Sequence, residues 1–127
     1  MTNLIIDKRK EETLTPIISF DAKTGYCEMI GETCMEDPPK FYLPVYDWLD
    51  NYFKTTAPIE LNVRLTSINS PSSKCILNIL NMLFEYKEKG RKVKVLWHYP
   101  KDLEEEICEE IEDYSVESQM EIEGISY

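Results

Sequence analysis

The apolar residues of this chain follow two spacings, which separate predicted strands from predicted helices. Apolar and polar residues alternate between Ile59 and Thr66, and a period of two is typical of a strand with one polar face. Segments 16–20 and 26–31 are short apolar runs joined by a turn that contains Asp and Gly, which predicts an opening hairpin. Two further predicted strands are the short apolar segments 92–97 and 120–122.

Three other segments repeat their apolar residues every three or four positions, the spacing of one helical face. The first follows the breaker residues at Pro38 and extends to Phe53, with Pro44 expected in its first turn. The second begins after a serine-rich turn and stops at Gly90, a residue type favoured just beyond a helix. The third is an acidic helix over residues 102–114.

The predicted order of elements is ββαβαβαβ. Strands and helices alternate after the hairpin, which calls for right-handed crossovers between parallel strands. The sequence therefore predicts one α/β layered domain over residues 14–127, with a mainly parallel sheet and helices packed on it. Residues 1–13 are expected to form a loosely ordered leader. The alternating polar residues of two strands indicate that one sheet face is incompletely covered or meets a partner.

Charge is concentrated in the last fifth of the chain. The 127 residues include 14 basic and 24 acidic side chains, a formal charge of −10, and residues 101–127 hold 11 of the acidic ones and a single lysine. Affinity for nucleic acid rests on neutralising phosphates, so no nucleic-acid partner is expected. The basic patch around Gly90 is interpreted as a solvated helix end and turn in preference to the alternative, a binding patch. The acidic helix is interpreted as a solvated face or, second, as a contact surface for something basic.

The sequence does not support a membrane, secreted, metal-binding or nucleotide-binding protein. No segment approaches the ~20 apolar residues of a membrane span, and the amino terminus lacks the pattern of a signal peptide, so a cytoplasmic protein without membrane insertion is expected. Four scattered cysteines and a single histidine, His98, predict no metal site. Isolated glycines build no nucleotide-binding motif, and no cofactor is expected.

The most informative turn reads Asn-Ser-Pro-Ser-Ser-Lys over residues 69–74. It follows a predicted strand and leads into a helix, where α/β sheets present functional groups. Free backbone N–H groups and the helix dipole favour an oxyanion there, including a phosphate carried by the chain itself. Serines at such a place also serve as simple helix caps, and the residues alone leave both interpretations open.

A small hydrolase or thiol enzyme is the alternative from another class. Ser70 or Cys75 would be its nucleophile and His98 its base, since a helix start stabilises a thiolate. No glycine-flanked nucleophile elbow is present. A buried Cys75, with His98 far from Ser70, would exclude this alternative.

Several motifs in this order resemble the SiaC family of bacterial regulatory phosphoproteins, a group distantly like the STAS-domain anti-sigma-factor antagonists. The resemblance extends from Pro16 to about residue 123 and implies a STAS-like fold. The motifs that carry it are Thr15-Pro16, Gly31-Glu32 before an acidic-proline turn, Tyr42, Pro44, Trp48-Leu49 and Tyr52 in the first helix, the turn 69–74, and Trp97-His98-Tyr99.

The resemblance implies partner switching controlled by phosphorylation. Family members carry Asn-Thr-Ser-Ser-x-Lys at the turn, and the threonine that is phosphorylated falls on Ser70 here, with Ser72 and Ser73 as alternatives. Pro71 replaces the next serine of the family motif, which predicts an extended backbone at Ser70. The unmodified form is expected to bind and activate a diguanylate cyclase. A cognate serine/threonine kinase modifies it and a PP2C-type phosphatase reverses the modification.

The implied partner-binding surface combines the turn with the end of a strand, and no catalytic residue is expected. Its members are Asn69, Ser70, Ser72, Ser73, Lys74, His98 and Tyr99. An alternative of similar type is an anti-sigma-factor antagonist that binds a protein kinase.

Overall fold

One six-stranded sheet organises the part of the chain that the structure, a computed structural model, describes: residues 1–11 and 14–127. A 3₁₀ turn over Lys101–Leu103 precedes the last helix. The elements in chain order are β1 (Leu4–Ile6), β2 (Ile17–Phe20), β3 (Tyr26–Thr33), α1 (Pro38–Tyr52), β4 (Ile59–Ile68), α2 (Ser70–Glu88), β5 (Val93–Tyr99), α3 (Glu104–Ser118) and β6 (Glu123–Ser126).

The strands lie side by side in chain order, from β1 to β6. β1, β2 and β3 pair antiparallel, whereas β3, β4, β5 and β6 pair parallel. Each parallel crossover therefore moves one position in the same direction, and right-handed crossovers place α1, α2 and α3 on one face. This arrangement confirms the predicted α/β layered domain with its mainly parallel sheet.

The core lies between the three helices and the sheet face beneath them. Leu61, Val63 and Leu65 of β4 point into it and are buried, as their alternation predicts. Trp97 of β5 is fully buried there and stacks on Tyr114 of α3, with ring centroids 5.4 Å apart. These contacts fix the position of α3 against the sheet.

The other sheet face carries a polar layer instead of helices. The Nδ2 of Asn62 donates to Glu60 at 2.9 Å, and its Oδ1 lies 2.9 Å from Nε2 of His98. Asn62 is only 2% exposed because these neighbours lie over it. Hydrogen-bonded side chains thus lie over the middle of this face and none of α1, α2 and α3 covers it, in agreement with the incomplete covering that the alternating pattern indicates.

The amino terminus differs from the loose leader that the sequence predicts, because Leu4–Ile6 forms the edge strand β1. Leu4 and Ile6 pair with β2 and pack against the core. Trp48 of α1 donates through Nε1 to the carbonyl of Thr2 at 3.0 Å, which anchors the segment further. Its three residues are too short a pattern to predict a strand.

Pro44 lies in the second turn of α1, not in the first turn as predicted. The helix begins earlier, at Pro38, and the side chain of Asp37 caps it. Pro44 and Lys40 are both exposed, so the carbonyl of Lys40 that loses its helical donor faces water. This position on the solvent side explains how the helix tolerates the proline.

The last strand, β6, begins three residues later than predicted. Gln119 adopts a left-handed conformation (φ 64°) that ends α3, and Met120 then inserts into the core with 1% of its surface exposed. Ser115 Oγ donates to the Met120 carbonyl at 2.9 Å and fixes this bend. The apolar signal at Met120 therefore came from a core residue outside the strand.

Candidate functional site

The turn over residues 69–74 lies between the end of β4 and the start of α2, as predicted. Asn69 has an extended backbone (φ −84°, ψ 167°), and its Oδ1 accepts from the backbone N–H of Ser72 at 3.0 Å. Its Nδ2 donates to the carbonyl of Met35 at 3.1 Å, and its backbone N–H donates to the carbonyl of Thr33 at 3.1 Å. Asn69 thus caps α2 and ties the helix start to the segment after β3.

Ser70 is the first residue of α2 and is exposed. Its hydroxyl makes no hydrogen bond to the part of the chain that the structure describes. The extended conformation predicted at Ser70 from Pro71 is wrong, because the extended residue is Asn69 and the helix has already begun at Ser70. Proline is tolerated in the first helical turn because its missing N–H would lack a helical partner anyway. The Ser70 hydroxyl is therefore accessible on a rigid helix start.

Ser72 has none of its surface exposed. Its Oγ has no hydrogen-bond partner among the described residues, and its backbone N–H is used by the Asn69 cap. A kinase or a partner cannot reach this hydroxyl without opening the helix start. This geometry corrects the assignment of Ser72 as an alternative phosphorylation site and as a partner-binding residue.

Ser73 is half-buried and points toward α3. Its Oγ lies 2.7 Å from the hydroxyl of Tyr114, and burial, as the largest cause, raises the pKa of Tyr114. The same shallow pocket of about 230 Å³ is lined by Glu110, Asp113 and Glu117. A phosphate at Ser73 would break this hydrogen bond and face three carboxylates. The structure therefore disfavours Ser73 as the modified residue.

Lys74 is exposed four residues after Ser70 on α2. Side chains at this spacing lie on the same side of a helix and can interact. A phosphate on Ser70 would have this ammonium and the amino end of the helix as its nearby positive groups. Ser70 and Lys74 are thus the accessible members of the predicted surface, and Asn69 supports them from below.

His98 and Tyr99 do not join the turn, although the sequence places them on the partner-binding surface. His98 is half-buried on the open sheet face, opposite α2, where burial first and Arg64 second lower its pKa. Because Asn62 presents Oδ1 to it, Nε2 is the nitrogen that carries the proton. Tyr99 is buried under the helices. Sheet alternation sends these consecutive side chains to opposite faces, so the sheet separates His98 from the turn. Tyr99 is on the side of α2, and its burial is what removes it from a contact surface.

The arrangement that a hydrolase or thiol enzyme needs is not assembled. Cys75 is 3% exposed and packs in the core, on the helix side of the sheet. His98 lies on the other side and bonds Asn62, so it is a base for neither Cys75 nor Ser70. In residues 1–11 and 14–127, no three His, Cys, Asp or Glu side chains cluster as metal ligands. Among the described helices, none has the length and apolar character to span a membrane.

Tyr114 and Met35 are the site residues that the sequence did not reveal. Tyr114 contacts Ser73 across 41 residues of chain and Met35 contacts Asn69 across 34, and no local pattern reports such pairings. The burial of Ser72 was, in contrast, predictable from the spacing of apolar residues in the sequence of α2. It shares the helical face of Ile76 and Ile79, which are core residues.

Comparison with known proteins agrees with this fold. A family model described as SiaC family regulatory phosphoprotein matches residues 9–127. An uncharacterized protein of Pseudomonas aeruginosa (strain UCBPP-PA14) is 32% identical over 102 residues, which cover 78% of this chain and 81% of that protein.

Two crystal structures from Pseudomonas aeruginosa share the architecture closely. Apo-SiaC superposes with a TM-score of 0.88 at 27% identity, covering 98% of this chain and 99% of that one. A chain from the structure of the diguanylate cyclase SiaD in complex with its activator SiaC gives the same TM-score, 0.88, at 27% identity and the same coverage, 98% and 99%. With the family model spanning nearly the whole sequence, this chain belongs to the SiaC family of regulatory phosphoproteins.

Proposed function

We propose that this protein is a non-enzymatic cytoplasmic regulator that binds and activates a diguanylate cyclase while Ser70 is unmodified. Phosphorylation of Ser70 ends that interaction. The proposal rests on membership of a regulatory phosphoprotein family and on the SiaD–SiaC complex of a structural relative. It also rests on the geometry of the turn, which presents one serine to solvent.

The observation that carries the proposal is the contrast among the three serines. Ser72 is fully buried and Ser73 is bonded to Tyr114, whereas Ser70 is exposed and free of side-chain hydrogen bonds to described residues. A phosphate at the first residue of a helix interacts favourably with the helix dipole. Modification of Ser70 is therefore compatible with an intact fold, and its effect falls on whatever touches the surface.

The electrostatic change is large enough to act as a switch. A phosphate adds about −1.5 to −2 charges near neutral pH. An interface that buries the neutral hydroxyl must then desolvate a dianion, which is strongly unfavourable without new partners. Inverting a 99:1 population ratio requires about 5.5 kcal/mol of differential affinity. The unmodified surface is thus expected to bind the cyclase and the modified surface to reject it.

The enzymes that act on Ser70 follow from the same scheme. A cognate serine/threonine kinase adds the phosphate, and a PP2C-type phosphatase removes it. Both act on a side chain at the molecular surface, with Lys74 beside it as a positive recognition element. Asn69 contributes by holding the turn, because both ends of its amide are engaged inside the protein.

The test compares binding of Ser70 variants to a purified diguanylate cyclase from the same genome. Ser70→Ala should bind like the wild type, and Ser70→Asp should bind at least about tenfold more weakly, a loss of roughly 1.4 kcal/mol. Thr56→Asp is the matched control, since Thr56 is exposed in the loop after α1, away from the turn. Equal binding by both Ser70 variants would remove Ser70 from the mechanism.

Mass spectrometry then locates the phosphate. After incubation with the kinase, the modified peptide should carry phosphate on Ser70 and none on Ser72 or Ser73. Phosphate on Ser73 in the folded protein would contradict the assignment.

A further inference from the structure

A basic cleft lies at the amino ends of β4 and β5, the sheet edge opposite Ser70. It has a volume of about 550 Å³, within the range of about 300–1,000 Å³ typical of small-molecule sites. Four of its lining side chains are cationic: Lys87, Arg91, Lys92 and Lys94. An apolar strip is formed by Pro58, Ile59 and Val93, and the lining is completed by Thr24 and one carboxylate, Glu60.

None of the four cations has an anionic partner among the described residues. Within residues 1–11 and 14–127 the one ion pair joins Arg9 to Asp7. The cleft gathers four cations against one carboxylate, in a chain with 14 basic and 24 acidic side chains. Clefts in which one sign of charge predominates concentrate ligands of the opposite sign.

Glu60 would be the natural partner for Lys94, because the two residues are cross-strand neighbours on the same face. Instead, the Glu60 carboxylate accepts from Asn62 Nδ2 at 2.9 Å, on the side toward His98. The hydrogen bond to Asn62 thus occupies one oxygen of the only carboxylate among the described residues that line the cleft.

Arg91 is the most informative of the four cations. It is half-buried, and its guanidinium makes no hydrogen bond or ion pair to the described residues. A guanidinium offers a planar fork of donors that suits a carboxylate or a phosphate. Favourable placement at the carboxyl end of α2 accounts for Lys87, but it explains neither this half-burial nor the lysines of the β5 segment.

The cleft is held in shape by two buried tyrosines. Tyr52 donates to the carbonyl of Pro58 at 2.6 Å, and Tyr86 donates to the carbonyl of Ala57 at 2.6 Å. Both side chains are almost fully buried, so the loop that forms one wall of the cleft is fixed from inside the core. A wall fixed before binding lowers the entropy lost when a ligand binds.

We propose that the basic cleft binds a nucleoside phosphate. The phosphate groups contact Arg91, Lys92 and Lys94, and the base lies on the accessible part of the apolar strip, Pro58 and Val93. The size of the cleft and this strip favour a ligand with a ring over inorganic phosphate. Because the cleft lies at the edge opposite Ser70, the proposal does not depend on the phosphorylation switch.

Isothermal titration calorimetry at physiological ionic strength tests the site, with GTP and sodium tripolyphosphate as probes. GTP should bind with a 1:1 stoichiometry, and tripolyphosphate should bind at least about tenfold more weakly because it lacks the ring contacts. No binding of GTP at millimolar concentration would overturn the proposal. Equal affinity for the two probes would do so as well.

Charge-removing variants locate the binding. Arg91→Gln and Lys94→Gln should each weaken GTP binding by about tenfold, the effect of one lost charge-assisted hydrogen bond. Lys54→Gln and Lys101→Gln remove the same charge elsewhere and should stay within about twofold. Lys94 is exposed, so its variant keeps the test valid if Arg91→Gln fails to fold.

The position and the chemistry of the ligand are tested separately. GTP binding that survives in both Arg91→Gln and Lys94→Gln would place the ligand outside the cleft and overturn the proposal. Binding of an acidic peptide in place of GTP would overturn the nucleotide assignment. Ser70→Asp should bind GTP like the wild type, so failure of the phosphorylation switch leaves this result unchanged.

Discussion

Ser70 and Ser72 lie two residues apart at the start of α2, yet one is exposed and the other is completely buried. A helix turns about 100° per residue, so these side chains point to nearly opposite sides. Ser73, one position further, faces α3 and bonds Tyr114. The comparison shows that helical phase, and not residue type, decides which hydroxyl of a serine-rich turn is available for modification.

A charge placed at each of the two serines gives the largest contrast. Ser72→Asp should lower the free energy of unfolding by more than about 3 kcal/mol, because it buries a carboxylate without a partner. Ser70→Asp should change it by less than about 1 kcal/mol and stabilise slightly through the helix dipole. Urea denaturation measures both. Wild-type stability of Ser72→Asp would contradict the buried position.

The next prediction concerns the Asn69 cap, which holds the start of α2 in place. Asn69→Ala should lower stability by about 1–2 kcal/mol, since Ser72 loses its N-cap acceptor and Met35 its donor. Asn69→Asp is the matched control. It keeps the cap acceptor and loses only the Met35 contact, so its thermal midpoint should lie between those of the wild type and Asn69→Ala.

Removal of the hydrogen bond between Ser73 and Tyr114 should lower stability by a smaller amount. Tyr114→Phe keeps the stacking on Trp97 and removes one hydrogen bond, which should lower stability by about 0.5–1.5 kcal/mol. Tyr127→Phe removes an exposed hydroxyl and should have no effect. Identical unfolding curves for the two variants would show that Tyr114 does not hold Ser73.

The smallest expected effect is a change in the pKa of His98, which lies away from the turn on the other face of the sheet. Its pKa should lie below the ordinary value of 6.5, and Arg64→Gln should raise it by removing a nearby positive charge. Since the lowered pKa favours the neutral ring, this group stabilises the fold above pH 6.5 and loses that contribution as pH falls through its folded pKa.

NMR titration suits this test because the chain has a single histidine. Ser70→Asp should leave the His98 midpoint unchanged. A clear shift in that variant would bring His98 back to the surface of the turn.

Local patterns predicted much of the fold. Alternation identified β4, the apolar stripe with Gly90 identified α2, and the Asp/Gly turn identified the hairpin of β2 and β3. These signals reside within one element. β1 went undetected because its three residues gain order from pairing with β2 and from Trp48, which lies 46 residues from its contact at Thr2.

The candidate site was predictable to the level of the turn and no further. The order strand, serine-rich turn, helix placed Ser70 at the correct sheet edge. Ser72 is inaccessible because the rotation of α2 directs it into the core. Ser73 is engaged because it forms a hydrogen bond with Tyr114 of α3, which is distant in sequence. The resemblance assigns both His98 and Tyr99 to the surface of the turn, whereas alternation along β5 directs them to opposite faces.

In the switch proposed above, the open position of Ser70 also determines how fast a signal can pass through the molecule. A hydroxyl that is already in contact with water needs no local unfolding before an enzyme reaches it, so no opening step limits its modification. Response time then follows the abundance and turnover of the modifying enzymes rather than the protein's own fluctuations. A cell that makes more of either enzyme shortens the delay without altering this protein at all.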